Sequence, residues 1–154
     1  MTLKLYDVTP TPAPRQSQRD AWKPSGPVLR YRAFRDEVTL KIHTLPEDYF
    51  HAIFLIPMPQ SWTKKRKRAC NGMKHPQKPD KDNLEKALVD AIYRHGDDSH
   101  IWNSSATKLW AWTGGILISD NYIKIDDPGL EHPDGLGLWI PQLIEPIKHP
   151  TTGS

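Results

Sequence analysis

The chain has 154 residues, a formal net charge of +3 and one cysteine, Cys70. That length supports one domain with one real core, and a lone cysteine excludes an internal disulfide framework and suits a reducing cytoplasm. No cationic start leads into an apolar run, and the longest apolar run, residues 52–56, is far too short to cross a bilayer, so neither a secretory signal nor a membrane anchor is expected.

Fifteen prolines, about twice average usage, imply long irregular segments between the elements. Residues 3–8 alternate enough for a short first strand. Residues 9–27 carry five prolines together with Arg15 and Arg19 and read as a partly extended, mobile loop. Residues 28–45 place Leu29, Ala33, Phe34, Val38 and Ile42 near helical spacing with charges between them, which predicts an amphipathic helix. Residues 49–58 are β-rich, flanked by Pro46 and Pro57, and read as a central strand. Residues 60–79 are basic and broken by Gly72, Pro76 and Pro79, so a loop is expected.

The next helix carries the clearest pattern. Leu84, Ala87, Leu88, Ala91 and Ile92 fall at i, i+3, i+4, i+7 and i+8, one apolar stripe. Asp82 with Glu85 makes a capping pair at its start, and Gly96 is a natural stop. Beyond Asp97-Asp98, residues 107–113 and 116–125 flank Gly114-Gly115, a hairpin signal. The acidic tail, residues 127–154, holds five prolines and four glycines, and little regular structure is expected there. No internal repeat is present. The expected fold class is α+β (mixed α/β): a single domain over residues 1–126, a small mixed β-sheet with helices packed on one face.

Charge is unevenly spread. Residues 61–86 hold nine lysines and arginines against three acids, whereas residues 119–154 hold two against six. A basic face with an acidic side turned elsewhere suits a polyanion, although a solvated surface with chance asymmetry gives the same counts. The run Lys64-Lys65-Arg66-Lys67-Arg68 favours nucleic acid, as a mobile loop gripping phosphates without reading sequence.

The string Pro79-Asp80-Lys81-Asp82-Asn83-Leu84-Glu85-Lys86, with Asp97-Asp98 further on, carries the chemistry. On an extended segment set by Pro79, Asp80 and Asp82 leave the same side, near a helix N-terminus whose dipole favours negative charge. Lys86 and Asp90 follow Asp82 at i+4 and i+8 on the polar face, and Asp98 starts the return to the sheet, from where it can converge on the first two. Two or three carboxylates suit Mg²⁺ or Mn²⁺, which take oxygen ligands and keep several waters. Such an ion polarises a phosphodiester and activates water, while Lys86 stabilises developing charge. Each piece also has a plain reading: Asp82 as an N-cap, Lys86 with Asp82 or Asp90 as a surface ion pair, Asp97-Asp98 as turn residues.

The motif Asp80-Lys81-Asp82-Asn83-Leu84-Glu85-Lys86, then Asp90-Ala91-Ile92, Gly96 and Asp97-Asp98-Ser99, resembles the RusA family of Holliday junction resolvases, whose pattern is D-x-D-N-x-x-K, a helix with D-A-[LI], then D-D-x-Q-[IV]. Pro10-Thr11-Pro12-Ala13-Pro14-Arg15 is similar to that family's early P-x-P-x-R loop. The resemblance spans roughly residues 3–125. It implies a homodimeric, Mg²⁺-dependent endodeoxyribonuclease, a hydrolase of DNA recombination and repair that nicks four-way junctions symmetrically in a bacterial or phage-infected cell. It assigns Asp80, Asp82 and Asp98 as metal ligands, Asp97 as the adjacent supporting acid and Lys86 as the catalytic lysine. Two positions depart from the pattern: the link from Gly96 to Asp97 is direct where members often have about three more residues, and His100 stands where Gln is usual. DNA contacts are expected from Lys64, Lys65, Arg66, Lys67 and Arg68, with Arg15 and Arg19.

Other readings stay open on the residues alone. Cys70, His75, His95 and His100 are a conceivable zinc set without standard spacing, and Trp62 is either packed or available to stack on a splayed base. A non-catalytic nucleic-acid-binding or regulatory protein is the rival class. A PD-(D/E)xK nuclease fits less well, since no [DE]-x-K falls on an expected strand after Pro79-Asp80.

Overall fold

In this computed structural model, which describes residues 2–15 and 23–125, the chain runs β1 (Leu3–Tyr6), α1 (Gly26–Lys41), β2 (Phe50–Pro57), α2 (Lys64–Cys70), α3 (Lys81–Ile92), β3 (Ser104–Ala111) and β4 (Gly115–Ser119). Arg19 and the tail expected over residues 127–154 lie outside the described residues. The four strands form one mixed sheet in the order β1-β4-β2-β3: β4 is antiparallel to β1 and β2, and β2 is parallel to β3. This is the α+β single-domain architecture expected from the sequence.

The first six residues of β2 are all buried, because β2 is a central strand covered on both faces. Phe50, Ala52 and Phe54 point into the larger core with Val38, Leu84, Leu88 and Ile116, so α1 and α3 lie on this face. The alternate residues Ile53 and Leu55 join Leu109, Ala111 and Leu117 in a second core on the opposite face. Leu3 and Leu5 pack against that core, and so do Ile123 and Ile125 from the segment after β4. His51 pins the segment there. Its Nδ1 accepts from the Ile123 N–H at 2.9 Å, its Nε2 lies 2.8 Å from Thr107 Oγ1, and its ring stacks on Tyr122 with centroids 5.0 Å apart. Because Nδ1 must accept, His51 is held neutral with its proton on Nε2, and burial pushes its pKa down.

Several local expectations are corrected. Pro27 belongs to the first turn of α1, where its missing N–H leaves no hydrogen bond unmade, rather than to the preceding loop. The buried stripe of α1 is Val28, Tyr31, Phe34 and Val38; Leu29 is 53% exposed and the helix stops at Lys41, so the expected stripe was displaced at its N-terminal end and ran too far. The basic run is not a loop: Lys64–Cys70 is helical, capped by Thr63 Oγ1, which accepts from the Arg66 N–H at 3.2 Å. Helix α3 begins two residues earlier than the Asp82 cap implied. Asp80 is its N-cap residue, Asp82 lies within the first turn, and the helix ends at Ile92, before Gly96.

The expected hairpin does not form. β3 and β4 lie on opposite sides of β2, so β2 takes the place each would have offered the other. Gly114 serves a close approach instead: a Cβ there would fall 2.6 Å from Thr9 Oγ1 and 3.0 Å from Thr9 Cα. Strand β4 is also shorter than expected and ends at Ser119.

Two outcomes follow. Phe54→Ala empties a fully buried site in the larger core and is expected to destabilise the fold by about 3–5 kcal/mol in urea titrations. For His51 the folded pKa lies below the ordinary 6.5, so its contribution to stability is complete above 6.5 and is lost as pH falls through the folded value. The urea midpoint therefore drops on acidification below 6.5, and His51→Gln flattens that part of the profile.

Candidate active site

Helix α3 presents the motif because its two faces differ. Leu84, Ala87, Leu88, Val89 and Ala91 are buried, while Asp82 and Lys86 are exposed on the other face, one turn apart. Asp80 precedes the first turn in extended conformation, and its carbonyl receives the first helical bond, from the Leu84 N–H at 3.1 Å. The two carboxylates therefore flank the mouth of a helix, rather than leaving the same side of an extended segment as the sequence suggested. Their placement still suits negative charge, which the helix dipole stabilises.

Commitment to partners separates the acids. Asp80 accepts no capping hydrogen bond. Asp82 makes a 3.2 Å contact with the exposed Lys81 and is itself 85% exposed, a pair of small energetic weight. Among the described residues, Lys86 forms no salt bridge with Asp82 or Asp90. Asp97, in contrast, is engaged: its carboxylate accepts from the Ser99 N–H at 2.8 Å and the Ser99 hydroxyl at 2.7 Å, and these bonds hold its pKa below the usual carboxylate value. Asp98 is exposed, and only its backbone carbonyl is used, by the Ile101 N–H at 3.0 Å. His100 is tied back by Nδ1 to the Asp97 carbonyl at 3.1 Å and packs edge-on against Tyr93.

Among the described residues, no three His, Cys, Asp or Glu side chains are gathered closely enough to enclose a metal ion. Asp80 and Asp82 share the helix mouth, but the convergence of Asp98 on them is not present, and Cys70, His75, His95 and His100 make no zinc set. Two carboxylates at a helix mouth are the donor chemistry of Mg²⁺, which is commonly bound by one or two carboxylates together with waters and substrate phosphates rather than by a closed protein cage.

The floor of the site comes from β3. Lys108 lies on the same face of the sheet as Ser104 and Trp110, four and two residues away along the strand. Its ammonium donates to the carbonyl of Pro79 at 2.7 Å and to that of Gln77, directly ahead of Asp80. Burial lowers the Lys108 pKa, and the nearby Asp80 charge partly offsets this. The Ser104 hydroxyl donates to Glu85, fastening the flank of α3 to the start of the same strand. Sequence reasoning passed over Lys108; its one signal was a cation just ahead of the apolar run Leu109-Trp110-Ala111.

Basic helix α2 is braced beside this floor. The Arg66 guanidinium sits 3.8 Å from the Trp62 ring centroid, Trp62 packs on Trp110 at 4.8 Å, and Trp110 packs on His75 at 4.2 Å. The buried His75 has its pKa lowered, first by burial and then by the Lys108 charge. Lys67 lies 5.8 Å from the Trp112 ring. Trp62 is thus engaged by Arg66 and Trp110 rather than open to a base, whereas Trp102, between Asp98 and β3, is 72% exposed. Lys64, Lys65, Arg66 and Arg68 are exposed and Lys67 half-buried; Arg15, also exposed, ends the first described stretch.

No helix among the described residues is long and apolar enough to cross a membrane. No curated protein matches the sequence. Residues 7–119 match the family model described as endodeoxyribonuclease RusA, a span holding every described element except β1, which it enters after. The chain therefore belongs to the RusA family of endodeoxyribonucleases, which act on branched DNA junctions.

Proposed function

We propose that this protein resolves four-way junctions by paired, symmetric nicks, acting as a homodimer that depends on Mg²⁺, with Mn²⁺ as a substitute. The observation that carries this reading is the pair Asp80 and Asp82 at the mouth of α3, beside a basic helix braced by aromatic rings. Asp80 and Asp82 would hold the ion, with Asp98, which stands apart from them here, drawn in as the third acid when ion and DNA bind; Asp97 is better suited to shaping the loop, since Ser99 already occupies its carboxylate. The bound ion would polarise the scissile phosphodiester and lower the pKa of an attacking water.

The protein's own groups do the rest. Lys86, exposed one turn beyond Asp82, reaches toward a phosphate at the helix mouth and stabilises the charge that develops on it. Helix α2 supplies cations on a rigid support, so that Lys64, Lys65, Arg66 and Arg68 grip the phosphate backbone and set register without selecting bases. Two symmetric nicks in a two-fold junction require two such sites, hence the homodimer. The compartment we propose is the cytoplasm of a bacterial or phage-infected cell, in keeping with the free thiol of Cys70.

A second reading, binding without cutting, draws on the absence of three gathered carboxylates among the described residues. The two are separated by incubating purified protein with a synthetic four-way junction and Mg²⁺ or Mn²⁺. Paired nicks are expected; binding with no cleavage under either ion sinks the nuclease reading. Asp82→Asn and Asp98→Asn are expected to reduce cutting to background with junction binding largely intact, while Asp97→Asn retains substantial cleavage. A Lys64→Gln/Lys65→Gln/Arg68→Gln variant is expected to bind all branched DNA more weakly, and the slope of log affinity against log salt should shrink by about 0.9 for each phosphate contact removed.

A further inference from the structure

We propose that Lys108 is a positioning residue of the nuclease site, a clamp that fixes the turn of residues 77–80 and thereby the aim of Asp80. The inference rests on the nuclease reading above and adds to it a residue outside the D-x-D-N-x-x-K motif.

Lys108 occupies a position where a strand would ordinarily carry an apolar side chain. On its face of the sheet it lies between Ala106 and Trp110, and its parallel neighbour in register is the fully buried Phe54. Placing an ammonium there costs solvation unless its protons find acceptors. They do: the carbonyls of Gln77 and Pro79 take two of them. That stretch begins and ends with Pro76 and Pro79, which have no N–H, so its backbone is poor in donors for a ladder of its own. A cation from below supplies donors to two of its carbonyls.

The clamp acts on Asp80 without consuming it. Pro79 and Asp80 are adjacent, so fixing the Pro79 carbonyl fixes the peptide plane that leads into the Asp80 Cα. The ammonium also attracts the Asp80 charge, yet no hydrogen bond between the two side chains is formed. Both carboxylate oxygens stay available at the helix mouth. Lys86 differs in kind: it is exposed and unpaired with Asp82, placed to meet substrate, whereas Lys108 is half-buried and turned toward backbone. Side chains that orient ligands in this manner typically affect activity about 10- to 100-fold.

The test uses the full-length protein with Lys108→Met and Lys108→Arg. With a four-way junction and Mg²⁺, Lys108→Met should lose kcat by about 10- to 100-fold while KM for the junction stays near wild type, since the Lys108 ammonium is spent on the carbonyls of Gln77 and Pro79. Lys108→Arg, which can still donate to both carbonyls, should recover most of the loss. Hydrogen exchange should accelerate in residues 76–83 of Lys108→Met and remain unchanged in β2. Wild-type kcat in Lys108→Met overturns the proposal, even if its melting temperature falls, because the role would then be structural alone. If Lys108→Met does not fold, Lys108→Gln replaces it in the same comparison with Lys108→Arg, and equal kcat in those two variants overturns the clamp. Should wild-type protein itself fail to cut, the nuclease reading fails separately; unchanged exchange in residues 76–83 would still refute the clamp, and accelerated exchange would uphold it.

Discussion

A strand buried on both faces has to be covered twice, and in this protein that strand is β2. Phe50 and Phe54 demand helices on one side, Ile53 and Leu55 demand a second apolar layer on the other. At roughly 1.5–3 kcal/mol for each large side chain withdrawn from water, these two layers outweigh any local turn preference nearby. The central position also dictates connectivity. With β4 on one edge of β2 and β3 on the other, the stretch between β2 and β3 must cross over the sheet, and that crossover is where α3 and its acids are carried.

How much of this was legible in the sequence depended on how local its cause was. The stripe Leu84, Ala87, Leu88 and Ala91 is a property of one helix, and it placed Asp82 and Lys86 on the open face correctly. The helical state of α2 is only partly local: five consecutive cations repel one another and carry no apolar stripe, so a loop was the natural reading. What stabilises the helix is the cap from Thr63 and the ring of Trp62 just ahead of it, together with the ring of Trp112 from just past β3. The hairpin misreading has the same origin. Gly114-Gly115 resembles a two-residue turn, but the need of β2 for partners on both edges decides where β3 and β4 go, and Gly114 answers to Thr9 instead. In α1 the displaced stripe came from setting Leu29 above Tyr31; the tyrosine is buried and the leucine is not.

For the site, the motif identified which acids matter, whereas hydrogen bonding distinguishes what they are free to do. Asp97 and Asp98 are indistinguishable as a dipeptide, yet Ser99 satisfies one of them twice over and leaves the other's side chain exposed. Lys108 could not be inferred from spacing at all, because the carbonyls it serves lie about thirty residues earlier in the chain. Electrostatically the site combines two acids at a helix mouth with a half-buried cation behind them, and the cations of α2 are braced at the far end of the same strand.

The reach of Lys108 has a consequence for the order of assembly. Its bonds to Gln77 and Pro79 span 31 and 29 residues and become possible only after β3 has joined β2 in parallel, a long-range pairing that bears its loop-closure entropy before any contact repays it. On a chain emerging from the ribosome, Asp80, Asp82 and Lys86 reach the open before residue 108 does, so nothing yet grips the turn beneath them. The acids are thus made early and aimed late. An enzyme that breaks DNA gains from this sequence of events, since a truncated or half-folded copy carries the motif without the scaffold that directs it.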